Sequence, residues 1–396
     1  MKKVLALVLA VLMIVSMCAC SSAKKEDTVE TIKIGLAFPM SGTAAMAGKY
    51  STHGADVLKE ELGGKITVGD KEYPVEFVTM DTEGSEEKTT NVYQKLIEEE
   101  KVIAIVGPDS SKCMLAAAPI AQNAKCPAIT TFGTNTAVTE VGNYIFRACF
   151  IDPFQGSVMA SFAKDQFGAS NAYVLSMLGE DYGSGLATYF VNAFEALGGT
   201  VTNEQFPEGT SDFSAYIQNA INASADVIFA PCATTYAAQI ITQAASAGFD
   251  KPITAGDTWE SSVILDAQKG TNVQVYCSTF FDENDDSGIA KEFVTGFKEW
   301  LNADSQKLTN NGGNDIVAAV SALGYDGYMV ALEAIKAAGS TDGTAIRDAL
   351  LGVNYDGVTG SITFDQTTGD ANKDMAYIKK AADGAFEFVK TQSVED

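Results

Sequence analysis

One histidine, His53, is all the imidazole in a chain of 396 residues. Any Ser–His or Cys–His catalytic pair would have to use it, and a metal site built on two histidines is excluded. Cations are scarce too: 27 Lys+Arg stand against 51 Asp+Glu, a formal charge of −24. A duplex-binding surface neutralises phosphates with clustered Lys and Arg, so nucleic acid is excluded as a partner. The same imbalance disfavours electrostatic adhesion to an anionic membrane. The signatures GxSxG, GxxxxGK[ST], HExxH and CxxC are also missing from the chain that follows the N-terminal segment. No cofactor and no metal ion is therefore expected.

What remains of catalytic pattern is weak. Ser161 and Lys164 form an SxxK spacing inside a helical stretch, where chance accounts for it. The acidic run 282–288 has the look of a calcium loop, but Ser287 and Phe293 stand where the turn glycine and the bidentate glutamate belong, and a solvated acidic loop is expected instead. His53 is expected to be a surface or packing residue.

The N-terminus reads as a targeting segment. Met1-Lys2-Lys3 is basic, residues 4–15 are uninterruptedly apolar, and small and polar residues follow. Cys20, preceded by Ala19, resembles the lipidated cysteine of a bacterial lipobox. This gives a signal peptide over 1–19 and a lipidated tether over 20–30; a retained signal anchor is the alternative. Of the seven cysteines, Cys113, Cys126, Cys149, Cys232 and Cys277 would remain beyond Cys20. Five is odd and the spacing is wide, so no disulfide framework is implied, and buried thiols are expected.

From residue 31 onward, short apolar runs alternate with amphipathic stretches. Strands are expected near 32–38, 73–81, 102–107 and 127–132, with helices near 48–62, 86–100 and 112–124. A second cycle starts after 151, with helices near 154–167, 182–197, 213–223 and 235–247. Strands near 171–178, 199–206, 226–231 and 252–256 separate them. Apolar runs without alternation suit strands covered on both faces, and a βα rhythm implies parallel sheets. Two such runs give an α/β fold of two doubly wound parallel-sheet lobes. Beyond them a strand is expected at 273–281, helices at 288–302 and 317–338, a polar loop at 307–315, and short strands in 355–365 and 375–390.

In doubly wound sheets, ligands sit past the carboxyl ends of strands. Three polar groups fall there: Asp109-Ser110-Ser111, Gly133-Thr134-Asn135 and Asp257. Ser111 and Thr134 would also serve as helix N-caps, and Asp257 as a cap or a solvated acid. Together they offer hydroxyls and helix-terminal N–H groups, which suit a carboxylate, and an aspartate, which suits an ammonium. A zwitterionic α-amino acid presents both.

Several segments then resemble the leucine/isoleucine/valine-binding proteins. They are Ile32-Lys33-Ile34-Gly35 with Pro39-Met40-Ser41-Gly42, the segment 102–119, the Thr134-Asn135 motif with Phe146-Arg147 and Asp152…Gln155-Gly156, the run 180–185, 255–259, and Gly324-Tyr325-Asp326. The resemblance implies the type I periplasmic-binding-protein fold, two lobes joined by three hinge crossovers. It implies lobe 1 over 31–151 and 283–356, and lobe 2 over 152–282 and 357–396. Carried over, Ser111 and the Thr134 N–H hold a ligand carboxylate. The Thr134 hydroxyl, the Phe132 carbonyl and Asp257 hold its ammonium. Tyr182 covers the site, and Thr234 stands where the family has a tyrosine nearby. Ala47 and Phe132 also depart from the family pattern, so the side-chain pocket differs while the zwitterion anchors remain. The implied function is that of an extracytoplasmic, lipid-anchored, monomeric substrate-binding lipoprotein of an amino-acid ABC importer, with permease subunits as partners. A ligand sensor of the same fold, or a binder of another small solute such as an amide or organic acid, is the alternative.

Overall fold

The computed structural model describes residues 30–42, 44–285 and 288–394. The expected leader and the lipidation at Cys20 fall outside these residues. Apolar β-rich runs zip into two sheets wound the same way. In the first unit, β1 (Ile32–Phe38) leads to α1 (Ala45–Leu62), the hairpin of β2 (Lys65–Val68) and β3 (Lys71–Asp81), and α2 (Glu86–Glu98). Then come β4 (Ala104–Val106), α3 (Ser111–Ala124), β5 (Ala128–Thr130), the single turn α4 (Ala137–Glu140) and β6 (Ile145–Arg147). Their order in the sheet is β2-β3-β1-β4-β5-β6, parallel except for β2.

The second unit runs α5 (Asp152–Phe167), β7 (Asn171–Met177), α6 (Asp181–Ala196), β8 (Thr200–Phe206), α7 (Ser214–Asn222) and β9 (Val227–Phe229). It continues through α8 (Thr234–Ser246), β10 (Ile253–Ala255), a 3₁₀ turn (Asp257–Trp259), α9 (Ser262–Gln268) and β11 (Val275–Thr279). The chain then returns to the first unit through α10 (Gly288–Asn302), α11 (Ser305–Asn310), α12 (Ala319–Ala338), α13 (Gly343–Leu350) and the hairpin β12 (Asn354–Gly357)–β13 (Gly360–Thr363). Two antiparallel strands, β14 (Ala376–Ala382) and β15 (Ala385–Gln392), close the second sheet in the order β15-β14-β11-β10-β9-β7-β8.

In the first sheet β1 lies between β3 and β4, and in the second β7 lies between β8 and β9, so each lobe has a switch point where a crevice opens at the carboxyl edge. Buried side chains of β1, β4, α5, α6 and α12 belong to one continuous apolar cluster that reaches from lobe to lobe. Along it, Phe132 meets Phe280 at 4.8 Å, Phe280 stacks on Phe150 at 3.9 Å, and Phe150 meets Phe154 at 5.5 Å. Phe150 and Phe280 sit where the chain passes between the lobes, so two of the crossovers run beside a packed aromatic column.

Three sequence expectations change. The boundary expected at 356/357 comes too early. Asp326 on α12 accepts from the Val358 and Thr359 amides at 2.8 Å each, Phe364 packs on Phe146, and Asp370 pairs with Arg147. The hairpin and the turn after it thus belong with the first sheet, and the third crossover follows them. The loop expected over 307–315 is helical as far as Asn310. The acidic run is not simply solvated, because Asp282 is buried and its carboxylate lies 3.2 Å from Lys379 Nζ. His53 packs inside lobe 1 with its ring 5.4 Å from that of Trp300, and burial pushes its pKa down to about 4. The cysteines of the described chain, 113, 126, 149, 232 and 277, are all free and buried.

Candidate functional site

The loop after β4 and the loop after β5 form the lobe 1 wall. Gly107 follows β4 with φ at +98°, and a side chain there would come within 2.5 Å of the Ala37 carbonyl, so only glycine lets the chain turn this close to β1. Thr130 then ties the two loops: its hydroxyl donates to the Pro108 carbonyl at 2.6 Å and accepts from the Gly133 amide at 3.0 Å. Ser111 is the first residue of α3, after the N-cap Ser110. Its Oγ accepts from the Asn135 amide at 3.3 Å rather than capping the helix.

Arg147, at the end of β6, shapes the second loop. Nε donates to Asp370 Oδ1 at 2.5 Å, Nη1 to the carbonyls of Gly133 (2.6 Å) and Asn135 (2.9 Å), and Nη2 to the Thr136 carbonyl (3.3 Å) and the Thr139 hydroxyl (2.9 Å). A guanidinium has five N–H donors, and all five are occupied. Thr134 is held inside this clamp, fully buried, and its hydroxyl has no hydrogen-bond partner.

The lobe 2 wall comes from α6 and the turn after β10. Glu180 caps α6 by accepting from the Gly183 amide at 2.5 Å, and Gly183 lies so near the loop after β9 that a Cβ would strike the Pro231 carbonyl at 2.2 Å. This seating carries Tyr182 to Asp257, whose Oδ1 accepts from the Tyr182 hydroxyl at 3.0 Å and from Gln155 Nε2 at 2.7 Å. Asp257 is no helix cap: neither the 3₁₀ turn nor α9 has a side-chain cap bond. Its second oxygen, Oδ2, is buried without a partner. Burial pushes its pKa up to about 6, against the pull of the Gln155 and Tyr182 hydrogen bonds.

A second carboxylate joins it. Asp152 opens α5, and its amide donates to the Thr134 carbonyl at 3.0 Å, which sets it beside the lobe 1 loop. Its exposure is 0%, and neither carboxylate oxygen has a partner. Burial pushes its pKa up to about 8. The Thr134 hydroxyl lies close enough to favour the anion without closing a hydrogen bond, Asp257 and Glu180 oppose ionisation, and Arg147 favours it. The lobes touch here, with Asn135 Nδ2 of lobe 1 donating to the Asp181 carbonyl of lobe 2 at 2.7 Å.

The strand-end residues Ser111, Thr134, Tyr182 and Asp257 thus line the two facing walls. Phe132 lies beside them but gives its ring to the aromatic column. Thr234 begins α8 half-buried, and among the described residues no hydrogen bond joins its side chain to the group. Sequence reasoning missed Asp152 and Gln155 as site residues. An Asp and a Gln three apart at a helix start lie on one face, which was the available signal.

A family model described as periplasmic binding protein matches residues 31–385. Among solved structures, the chain is similar to a leucine binding protein LivK from Thermotoga maritima, with 33% identity, a TM-score of 0.83, and coverage of 92% of this chain and 99% of that one. It is similar to the branched-chain amino acid transporter substrate binding protein LivJ of Streptococcus pneumoniae in complex with isoleucine, at 26% identity, TM-score 0.80, with 92% and 99% covered. A solute binding protein of an ABC transporter from Rhodopseudomonas palustris HaA2, in complex with p-hydroxybenzoic acid, matches at 25% identity, TM-score 0.78, with 93% and 98% covered.

Proposed function

Since the chain belongs to the periplasmic binding protein family, we propose that it captures an α-amino acid of the branched-chain type between its lobes and delivers it to an ABC permease. Proteins of this family bind solutes outside the cytoplasm and are not enzymes. The observation that carries the amino-acid reading is the unpartnered, buried Oδ2 of Asp257 on the wall facing Thr134, whose hydroxyl is also unpartnered. Leaving a buried carboxylate oxygen unpaired is costly. An ammonium group supplies the missing donors, while the Ser111 hydroxyl and the backbone amides at the start of α3 offer the ligand carboxylate its contacts. Ligand that touches both walls only when they are close shifts the lobes toward the closed form.

The second reading is an aromatic acid, favoured by the p-hydroxybenzoic acid complex of the Rhodopseudomonas palustris HaA2 protein and by the ring of Phe132 at the wall. Such a ligand brings a further anion and no ammonium, and the Asp257 carboxylate opposes it. A thermal-shift panel of the twenty common L-amino acids, their amides and hydroxybenzoates separates the two. Stabilisation by one or more amino acids and by no benzoate is expected, and stabilisation by benzoates alone would overturn the reading.

The N-terminal segment completes the proposal, with lipidation at Cys20 after cleavage of 1–19 holding the protein on the outer face of the cell membrane. Replacing Cys20 with Ala is expected to release it into the soluble fraction; membrane retention of the unlipidated variant would support a signal anchor instead.

A further inference from the structure

Asp152 stands out among the buried polar groups because neither of its oxygens closes a hydrogen bond. Both of its oxygens are buried and unpartnered, and Asp257 Oδ2 is in the same condition. The groups facing Asp152 come from every element around it: Thr134 from the loop after β5, Arg147 from β6, Glu180 and Tyr182 from α6, and Asp257 from the turn after β10, with the neutral thiol of Cys149 just before α5. Arg147 is the one cation among them, and its five donors already hold Asp370 and the 133–139 segment. Apart from the Thr134 hydroxyl nearby, no donor is left over for Asp152. Two buried acidic side chains thus lie close enough to oppose each other's ionisation and leave three oxygens unpaired, so that one or both remain protonated until a cation arrives.

We propose that Asp152 is a second contact for the ligand's cationic group, and that it gives up its proton to solvent as that group arrives, so that binding releases a proton and tightens as pH rises. The inference rests on the amino-acid reading of the site. The ligand ammonium keeps its three hydrogens and donates them; the proton lost is the one on the aspartic acid. Burial, which pushes Asp152 up to about 8 in the empty site, sets the window. Above the ordinary carboxylate range and below about 8, the empty site holds a proton that the occupied site does not. The sign for the ligand-free protein is the opposite. A folded-state pKa raised above the unfolded one gives stability that is fully present at low pH and is lost as pH climbs from about 4 through about 8.

The test is calorimetry of the mature chain with L-isoleucine at pH 6, 7 and 8, in phosphate and in Tris, whose ionisation heats differ. If L-isoleucine does not bind, the remaining common L-amino acids are taken in turn. Expected are a buffer-dependent heat corresponding to release of up to about one proton and an affinity rising by up to about tenfold per pH unit. Asp152→Asn should bind more weakly at pH 8, with a smaller buffer-dependent heat and a flatter pH slope. As a check independent of binding, its ligand-free melting temperature should fall less than that of the unaltered protein between pH 6 and 8.5. Tight amino-acid binding with a pH-flat affinity and equal heats in both buffers would overturn this inference and leave the amino-acid reading intact. Binding of no amino acid at all would overturn both.

Discussion

Arg147 shows how a residue shapes a site from behind it. The loop between β5 and α4 turns three of its carbonyls, from Gly133, Asn135 and Thr136, onto one guanidinium. That leaves Thr134, between them, free to aim its hydroxyl elsewhere. Because Arg147 is wholly buried and Asp370 is 20% exposed on its side chain, removing the cation strands the carbonyls more than it strands the acid. Arg147→Met is expected to destabilise the protein by roughly 3–5 kcal/mol, as breaking a buried pair does, and chemical denaturation measures it. Arg147→Lys should not rescue it, since an ammonium cannot reproduce the planar fork; full recovery in the lysine variant would contradict the clamp. At this scale, the position of Ser111, Thr134 and Asp257 past strand ends was legible because small polar residues follow apolar runs there; that they hold a ligand is the proposal. Arg147, Asp152 and Gln155 were not legible. An arginine inside a strand and an acid at a helix start each have ordinary explanations, and only the fold shows the acid without a partner.

Among elements, the buried strands were legible because both their faces are covered and the side chains say so. The pattern of β1 is buried at six of seven positions, and β4, β5, β9 and β10 are buried throughout. Their ladders are shorter than the apolar runs: 102–107 is strand only over Ala104–Val106, although the Ile103 and Gly107 amides still donate to the Lys33 and Ile129 carbonyls of the neighbouring strands. Hidden from the sequence was β2, whose alternating exposed and buried residues carry lysine and glycine neighbours. It is held by the hairpin turn at Gly69, where φ is +60°. The third crossover was misplaced for a related reason. Residues 355–365 do form strands, but they pair with each other, and Asp326 seats that hairpin on α12. A buried aspartate accepting two successive amides has no periodic signature.

At the scale of the whole molecule, the two lobes repeat one winding order, and loops past their carboxyl edges meet where Asn135 donates to the Asp181 carbonyl. Ser111 and Thr134 stand on one edge, and Tyr182 and Asp257 on the other. The aromatic column through Phe132, Phe280, Phe150 and Phe154 runs beside two of the crossovers and packs the lobes together there. The central claim is that an α-amino acid joins the lobes, its carboxylate on the Ser111 side and its ammonium on Asp257. Asp257→Asn keeps the side-chain shape and the acceptor for Gln155 and Tyr182 while removing the charge. Losing one partner of a desolvated charge pair costs roughly 2–5 kcal/mol, or roughly thirtyfold to several-thousandfold in affinity. The direct measurement is the calorimetric dissociation constant of L-isoleucine, or of the amino acid that stabilises best in the thermal-shift panel, for the unaltered protein and for Asp257→Asn at pH 7.5. A loss within that range, with the ligand-free variant still folded, is the result the account predicts; an unchanged dissociation constant would contradict it.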